Sequence, residues 1–128
     1  MAVSDKVTEF LQRPLMATIA TTNADGSPQV SFVWYDWDGE VFKVSSRVNR
    51  RKVHNLRRDS RCAIAVIDPD DPRRWVIASG RAELSDEGGR ELIEALRVKY
   101  ADQPQDQPSA EPRVLITLRP EKMRTAGL

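Results

Sequence analysis

The spacing of the apolar residues changes from helical to alternating close to residue 15. In the first stretch, four apolar residues recur with the spacing of one helix face: Val3, Val7, Phe10 and Leu11. This spacing, around a Ser4 that can cap a helix, predicts a short amphipathic helix that ends before Pro14. From Leu15 onward β-branched residues become frequent and the apolar residues alternate, which predicts strands.

Six segments have the length and composition of strands. We predict them over these ranges: 15–22, 29–37, 40–46, 61–67, 74–84 and 113–118. Between the second and the third, Asp38-Gly39 suits the two positive-φ positions of a tight hairpin turn. The first three strands are therefore expected to be consecutive antiparallel neighbours.

Two further helices are predicted among these strands, over 49–58 and 85–100. The longer helix should turn four residues inward: Leu92, Ile93, Leu96 and Tyr100. The proline-rich, polar stretch that follows, 102–112, predicts an irregular crossover. Six short strands without regular βα alternation predict a mainly β, α+β fold, namely a closed or partly closed six-stranded antiparallel barrel with short flanking helices.

Composition narrows the class of protein. A chain of 128 residues has room for one hydrophobic core, so we expect a single domain over 1–128. The net charge of +1 gives no support to a nucleic-acid-binding protein. No apolar run approaches the roughly 18 residues of a membrane span, and the first residues do not resemble a signal peptide. We therefore expect a cytoplasmic protein without membrane insertion.

The few cysteines and histidines exclude several kinds of site. Cys62, the only cysteine, lies in an apolar run and is expected to be a small buried residue rather than part of a disulfide. His54, the only histidine, is expected on a helix surface, so no His-rich metal site is predicted. Hydrolase, P-loop and dinucleotide-binding motifs are also absent from the sequence.

The helix predicted over 49–58 begins with an unusual concentration of positive charge. With Asn49 as N-cap, and Val48 and Val53 at the positions of a hydrophobic staple, the first turn would carry three cations: Arg50, Arg51 and Lys52. Free backbone N–H groups already make a helix start electropositive, so cations are disfavoured there unless an anion is present. A bound phosphate would resolve the conflict. The alternative is a solvated basic helix face.

Three stretches of the chain resemble the split-barrel flavin and deazaflavin oxidoreductases, the superfamily that includes pyridoxamine-phosphate-oxidase-like proteins. These stretches are ATIATTNADGSPQVS at 17–31, VSSRVNRRKVHNLRRD at 44–59 and VIASGRAEL at 76–84. The combination of Asp-Gly-Ser-Pro-Gln with Arg-x-Lys-x-x-Asn-Leu is fairly specific. The resemblance implies a homodimer with two cofactors in grooves between the subunits, and the cofactor phosphate near the start of the short helix.

The resemblance also implies which residues contact the cofactor. Arg50, Lys52 and Asn55 match the contacting positions of the helix, while Gln29 and Ser45 match strand positions that face the ring or its linker. We add Ser31, which shares a strand face with Gln29, and the neighbouring cations Arg47 and Arg51. Trp75 resembles a residue of the cofactor groove, although a core or interface role suits it equally. No catalytic residue is predicted.

Two cofactors are compatible with the resemblance. The branch similar to this sequence uses the deazaflavin coenzyme F-420, whose phosphate continues into an oligoglutamate tail. The cations between 47 and 52 exceed what a single FMN phosphate requires, which favours F-420. FMN is the alternative. The residues 121–128 lack the Arg and His cluster of true pyridoxamine phosphate oxidases, so that activity is not expected.

The expected function is an F-420-dependent reductase that transfers a hydride to a small conjugated substrate, such as a quinone or a tetrapyrrole. The alternatives are an FMN-dependent oxidase or reductase and a non-catalytic carrier of the cofactor. A nucleic-acid binder has the least support. A further hypothesis places three aromatic residues around the substrate: Trp34, Tyr35 and Trp37.

Overall fold

The computed structural model describes residues 2–128 and has three short helices and eight strands. The helices are α1 (Asp5–Leu11), α2 (Arg51–Arg58) and α3 (Gly89–Lys99). The strands are β1 (Ala17–Thr22), β2 (Pro28–Val33), β3 (Asp36–Trp37), β4 (Phe42–Arg47), β5 (Arg61–Ile67), β6 (Trp75–Ser85), β7 (Arg113–Leu118) and β8 (Lys122–Ala126). In residues 2–128, no helix has the length and apolar character needed to cross a membrane.

The strands form one curled antiparallel sheet with the order β2-β1-β5-β6-β7-β4-β3, and β8 pairs with β6. The long β6 joins the two halves of the barrel, because its first part pairs with β5 and β8 while its last four residues pair with β7. Gly80 lies where these partners change. A Cβ atom there would come within 2.8 Å of the carbonyl oxygen of Arg119, so the close approach requires glycine.

The split barrel that the sequence predicts is confirmed, but the prediction of six strands is wrong. The predicted strand over 29–37 is two strands, because the backbone between them bonds to α3 instead of to another strand. Tyr35 donates its N–H to the Tyr100 hydroxyl at 3.4 Å, and its carbonyl accepts from Lys99 Nζ at 2.9 Å. As a result β2 and β3 lie at opposite ends of the strand order and do not pair.

Two other local predictions fail for identifiable reasons. In the turn after β3 only Gly39 has a positive φ, of 100°, and the carboxylate of Asp38 accepts the N–H groups of Glu40 and Val41. This is an Asp-capped loop rather than the predicted two-residue hairpin turn. The strand β8 was not predicted, because its exposed and half-buried residues lack an apolar alternation.

The core fills the inside of the barrel with aromatic and aliphatic side chains. Its largest fully buried residues are Trp37, Tyr35, Tyr100 and Phe42. Ser4 caps α1 as predicted, accepting the N–H of Val7, and α1 covers one end of the core. Cys62 is buried and free, as expected.

A buried carboxylate joins the segment that follows α1 to the turn between β5 and β6. The side chain of Asp68 is only 3% exposed, and it contacts Arg13 at 3.0 Å and Arg74 at 3.3 Å. A backbone hydrogen bond from Asp70, followed by the hydrogen bond from Arg13, lowers the pKa of Asp68 below its ordinary 3.8. Since the folded protein favours the ionised form, this group stabilises the fold above the ordinary pKa and ceases to do so as pH falls through the lowered value.

We predict that Asp68→Asn lowers the melting temperature by several degrees at pH 7, because it leaves two partly buried guanidinium groups without their carboxylate. The difference from the native protein should shrink as pH falls below 3.8. Thermal unfolding followed by circular dichroism across pH measures it. Asp70→Asn is the control, since that carboxylate is 88% exposed and 3.8 Å from Arg13. An equal loss at every pH would contradict the assignment.

Candidate functional site

A cleft of about 490 Å³ opens between β2, the end of β4, the start of α2 and α3. Seven of the nine residues predicted to contact a cofactor line it: Gln29, Ser31, Ser45, Arg47, Arg50, Arg51 and Lys52. A depression of similar size, about 450 Å³, lies elsewhere on the sheet and contains none of them. The structure therefore brings most of the predicted set to one place, and their contact with a cofactor stays a prediction.

The basic residues stand at the start of α2, although the helix begins later than predicted. Arg50, not Asn49, is the N-cap residue, and no side chain caps the helix. Arg51 and Lys52 occupy the first turn, where no acidic residue is present. Because of this shift, Val48 and Val53 do not occupy the staple positions. The electropositive end of the helix and the cations nevertheless meet at the cleft, which suits an anion.

Arg113 adds a cation that the sequence pattern did not indicate. It lies opposite Arg47 in the register of β4 and β7, so the pairing of distant strands brings it into the cleft. Its guanidinium donates to the Ser45 hydroxyl at 3.3 Å, and that hydroxyl in turn donates to the carbonyl of Gly89 at 2.6 Å. Ser45 thus serves to hold Arg113 in position.

Positive charge in the cleft is poorly balanced. Five cationic residues line it against one carboxylate, that of Asp106. Within residues 2–128, the only carboxylate within 4.0 Å of any of the five is Glu111, which lies 3.8 Å from Arg47. Burial and then the nearby guanidinium groups of Arg50 and Arg113 lower the pKa of Lys52. Unbalanced, partly buried positive charge of this kind makes the cleft a favourable place for an anion.

Asn55 lies behind the cleft rather than on its surface. Its completely buried amide donates to Thr21 Oγ1 at 3.0 Å and to Asn23 Oδ1 at 2.9 Å, which fastens α2 to β1. Thr21 then donates to Gln29 Oε1 at 3.0 Å. The Oε1 atom of Gln29 therefore already accepts a hydrogen bond, and the Nε2 group of the same side chain is left to donate to a ligand. The structure gives Asn55 a positioning role, whereas its predicted contact with a cofactor is untested.

The hydroxyl of Ser31 is a polar atom without a partner inside the protein. Its oxygen is buried and makes no hydrogen bond, and the residue lines the cleft. Unpaired buried polar atoms are costly, and they commonly mark a place where a ligand or water completes the bonding. Together with the free donor of Gln29, Ser31 suits the polar edge of a heterocyclic ring.

The aromatic candidates separate into different regions. Trp34 lines the cleft, but Tyr35 and Trp37 are buried in the core and do not line it, so the hypothesis that all three residues surround one substrate is wrong. Trp75 begins β6, where it lies 6.0 Å from the Arg124 guanidinium and away from the cleft of its own chain. His54 is exposed on α2, as expected. Residues 2–128 contain no group of three or more potential ligands placed to hold a metal ion.

We predict that phosphate binding in the cleft takes up protons at alkaline pH. The free site holds the pKa of Lys52 below 10.5, and a bound dianion would raise it. Between the two values binding protonates the amine, so affinity should fall as pH rises through that window. Calorimetric titration with inorganic phosphate, which stays a dianion through this window, in buffers of different ionisation enthalpy measures the uptake. Lys52→Met should abolish it, and uptake that persists in this variant would assign it to another group.

Comparison with known proteins agrees with this geometry. Residues 3–127 match the family described as pyridoxamine 5'-phosphate oxidase. A solved F-420 reductase is 34% identical, with a TM-score of 0.85 and coverage of 95% of this chain and 98% of the reductase. The conserved hypothetical protein Rv2991 from Mycobacterium tuberculosis is 25% identical, with a TM-score of 0.78. The match covers 97% of this chain and 84% of Rv2991. HutZ, the heme storage protein from Vibrio cholerae, shares the fold at 21% identity and a TM-score of 0.72. The match covers 100% of this chain and 97% of HutZ.

Proposed function

The chain belongs to the pyridoxamine 5'-phosphate oxidase family, and from that membership we propose that it is a reductase that uses the deazaflavin F-420. The similarity to a solved F-420 reductase over nearly the whole length of both chains supports the choice of cofactor. The hydride acceptor in this proposal is a small conjugated molecule.

The observation that carries the proposal is the excess of cations in the cleft. Arg47, Arg50, Arg51, Lys52 and Arg113 surround one cavity with a single carboxylate on its wall. One FMN phosphate would neutralise only part of this charge. The F-420 phosphate bears an oligoglutamate tail with further carboxylates, which suits several guanidinium groups because each can form paired hydrogen bonds to a carboxylate.

The residues of the cleft fit the parts of such a cofactor. Arg50, Lys52 and the free N–H groups at the start of α2 would hold the phosphate, and the donors of Gln29 and Ser31 would bond to the polar edge of the ring. A bound, reduced deazaflavin would supply a hydride for the acceptor, and solvent would supply the proton that balances the reduction. Apart from Asp106 and the cations, no titratable side chain of residues 2–128 lines the cleft, so we assign no protein acid.

We predict that the native protein binds F-420 more tightly than FMN and that Arg50→Ala combined with Lys52→Ala weakens F-420 binding by roughly 100-fold or more, because two charge-assisted contacts are lost. Fluorescence titration with each cofactor measures both affinities. Arg57→Ala combined with Arg73→Ala removes two exposed cations outside the cleft and should leave the affinity nearly unchanged.

The other possible results of these titrations lead to different conclusions about the cofactor. Tighter binding of FMN than of F-420 would replace the deazaflavin by FMN on the same fold. Tight binding of F-420 without reduction of any quinone, enone or bilin would indicate a cofactor carrier. An unchanged affinity in the cleft variant would remove the cleft from the cofactor site.

We further propose that the protein is a homodimer formed through the outward face of the sheet. Apolar side chains occupy that face on three strands, β2, β5 and β6: Val30, Phe32, Ala63, Ala65, Ile67 and Ile77. The strand register makes this face continuous, since Phe32 lies beside Thr18, Thr18 beside Ala65, and Ala65 beside Ile77. Phe32 is 75% exposed. Monomeric proteins rarely leave so many adjacent apolar side chains in water.

We predict that Ile77→Arg weakens the dimer by roughly 100-fold or more, because it would bury an unpaired charge in the interface. Analytical ultracentrifugation over a range of concentrations measures the dissociation constant. The control is Val98→Arg on α3, where the native side chain is 77% exposed and lies off the patch. A native protein that sediments as a monomer at all concentrations, or equal effects of the two substitutions, would contradict this interface.

A further inference from the structure

A second groove of about 280 Å³ continues from the cleft, away from the start of α2. The two cavities share Trp34, Ile93 and Arg113 among their walls. The groove adds Pro104 and Arg97, and it includes none of the cations between 47 and 52. The continuous cavity therefore has a strongly basic end and a second end, where apolar residues stand beside Arg97, Arg113 and Asp106.

The wall of this second groove contains a rigid aromatic platform. The indole of Trp34 stacks on the ring of Tyr100, with centroids 4.8 Å apart and planes inclined by 7°. Tyr100 is itself fixed, because its buried hydroxyl donates to the carbonyl of Leu15 at 2.7 Å. Tyr100 covers one face of the indole, and Trp34 also lines the groove. A fixed aromatic surface favours stacking of a flat ring.

Two guanidinium groups stand beside this platform without a carboxylate partner. Arg97 donates to the backbone carbonyl of Asp106 at 3.1 Å, and Arg113 bonds to Ser45. Within residues 2–128, neither guanidinium has a carboxylate within 4.0 Å. Both arginines line the groove together with Asp106, but Arg113 also lines the basic cleft, whereas Arg97 lines only the groove. Arg97 is thus the cation available to a ligand held against Trp34.

We propose that this groove binds the hydride acceptor and selects a flat, conjugated molecule that carries a carboxylate, with Trp34 stacking on its ring system and Arg97 pairing with its acid group. The inference rests on the proposed function, since it names the substrate class for the same cavity. A cofactor whose phosphate lies at the start of α2 would extend toward Trp34, and the groove is the space that remains beyond it.

The test uses two flat ligands that cannot be reduced and that differ in charge, 2-naphthoate and 2-naphthamide. Isothermal titration of the full chain should show the acid binding roughly 10-fold or more tighter than the amide, because only the acid forms a charge-assisted pair. Arg97→Gln should remove that preference. Arg73→Gln, which changes a guanidinium that is 89% exposed, should retain it.

Two further measurements decide where the acid binds. The preference should survive in the Arg50→Ala, Lys52→Ala variant, and naphthoate should not displace F-420. A preference that depends on Arg50 and Lys52 but not on Arg97, or equal binding of acid and amide, overturns the proposal. Displacement of F-420 also overturns it, since the groove would then belong to the cofactor. Failure of F-420 to bind at all would refute the proposed function alone, because the naphthoate titrations do not require it.

Discussion

The geometry of the cleft depends on one buried side-chain amide, that of Asn55. Asn55 has no exposed surface, and its two donated hydrogen bonds hold α2 against β1 and the turn that follows it. An amide buried in this way is stable only while its partners remain in place. The helix start, with Arg50 and Lys52, is therefore fixed relative to the strand that carries Gln29. The cleft exists because these two elements cannot separate without leaving polar groups unpaired.

The same arrangement brings like charges together, which opposes folding when the cleft is empty. The lowered pKa values of Lys52 and Arg113 express this cost, since burial and neighbouring guanidinium groups disfavour both charged forms. A bound anion would offset the repulsion among these cations and so favour the folded state. A protein built in this way is expected to be stabilised by its ligand, because binding to the folded state alone shifts the folding equilibrium.

Local sequence predicted the positions of most elements and the basic end of the cleft. Strand β5, strand β7 and α1 agree closely with their predicted ranges, because their apolar periodicity is regular and their capping or turn residues are clear. The errors concern places where a tertiary contact replaces a local preference. Tyr35 leaves the predicted strand to bond with Lys99 and Tyr100, and Gly88, with a φ of 94°, delays the start of α3. The family resemblance supplied the split barrel, and the structure raised the number of strands to eight.

By itself the sequence determined which residues lie next to one another along the chain, and this was sufficient for the cations of 47–52 because they occupy one short segment. Only the tertiary structure could place Arg113 opposite Arg47, since 66 positions of chain, from 47 to 113, separate them and strand register alone joins them. It also decided that Trp34 lines the cavity while Tyr35 and Trp37 enter the core. Trp34 and Trp37 are the same amino acid, so composition cannot distinguish them, and which of them is buried depends on the surfaces that surround each one.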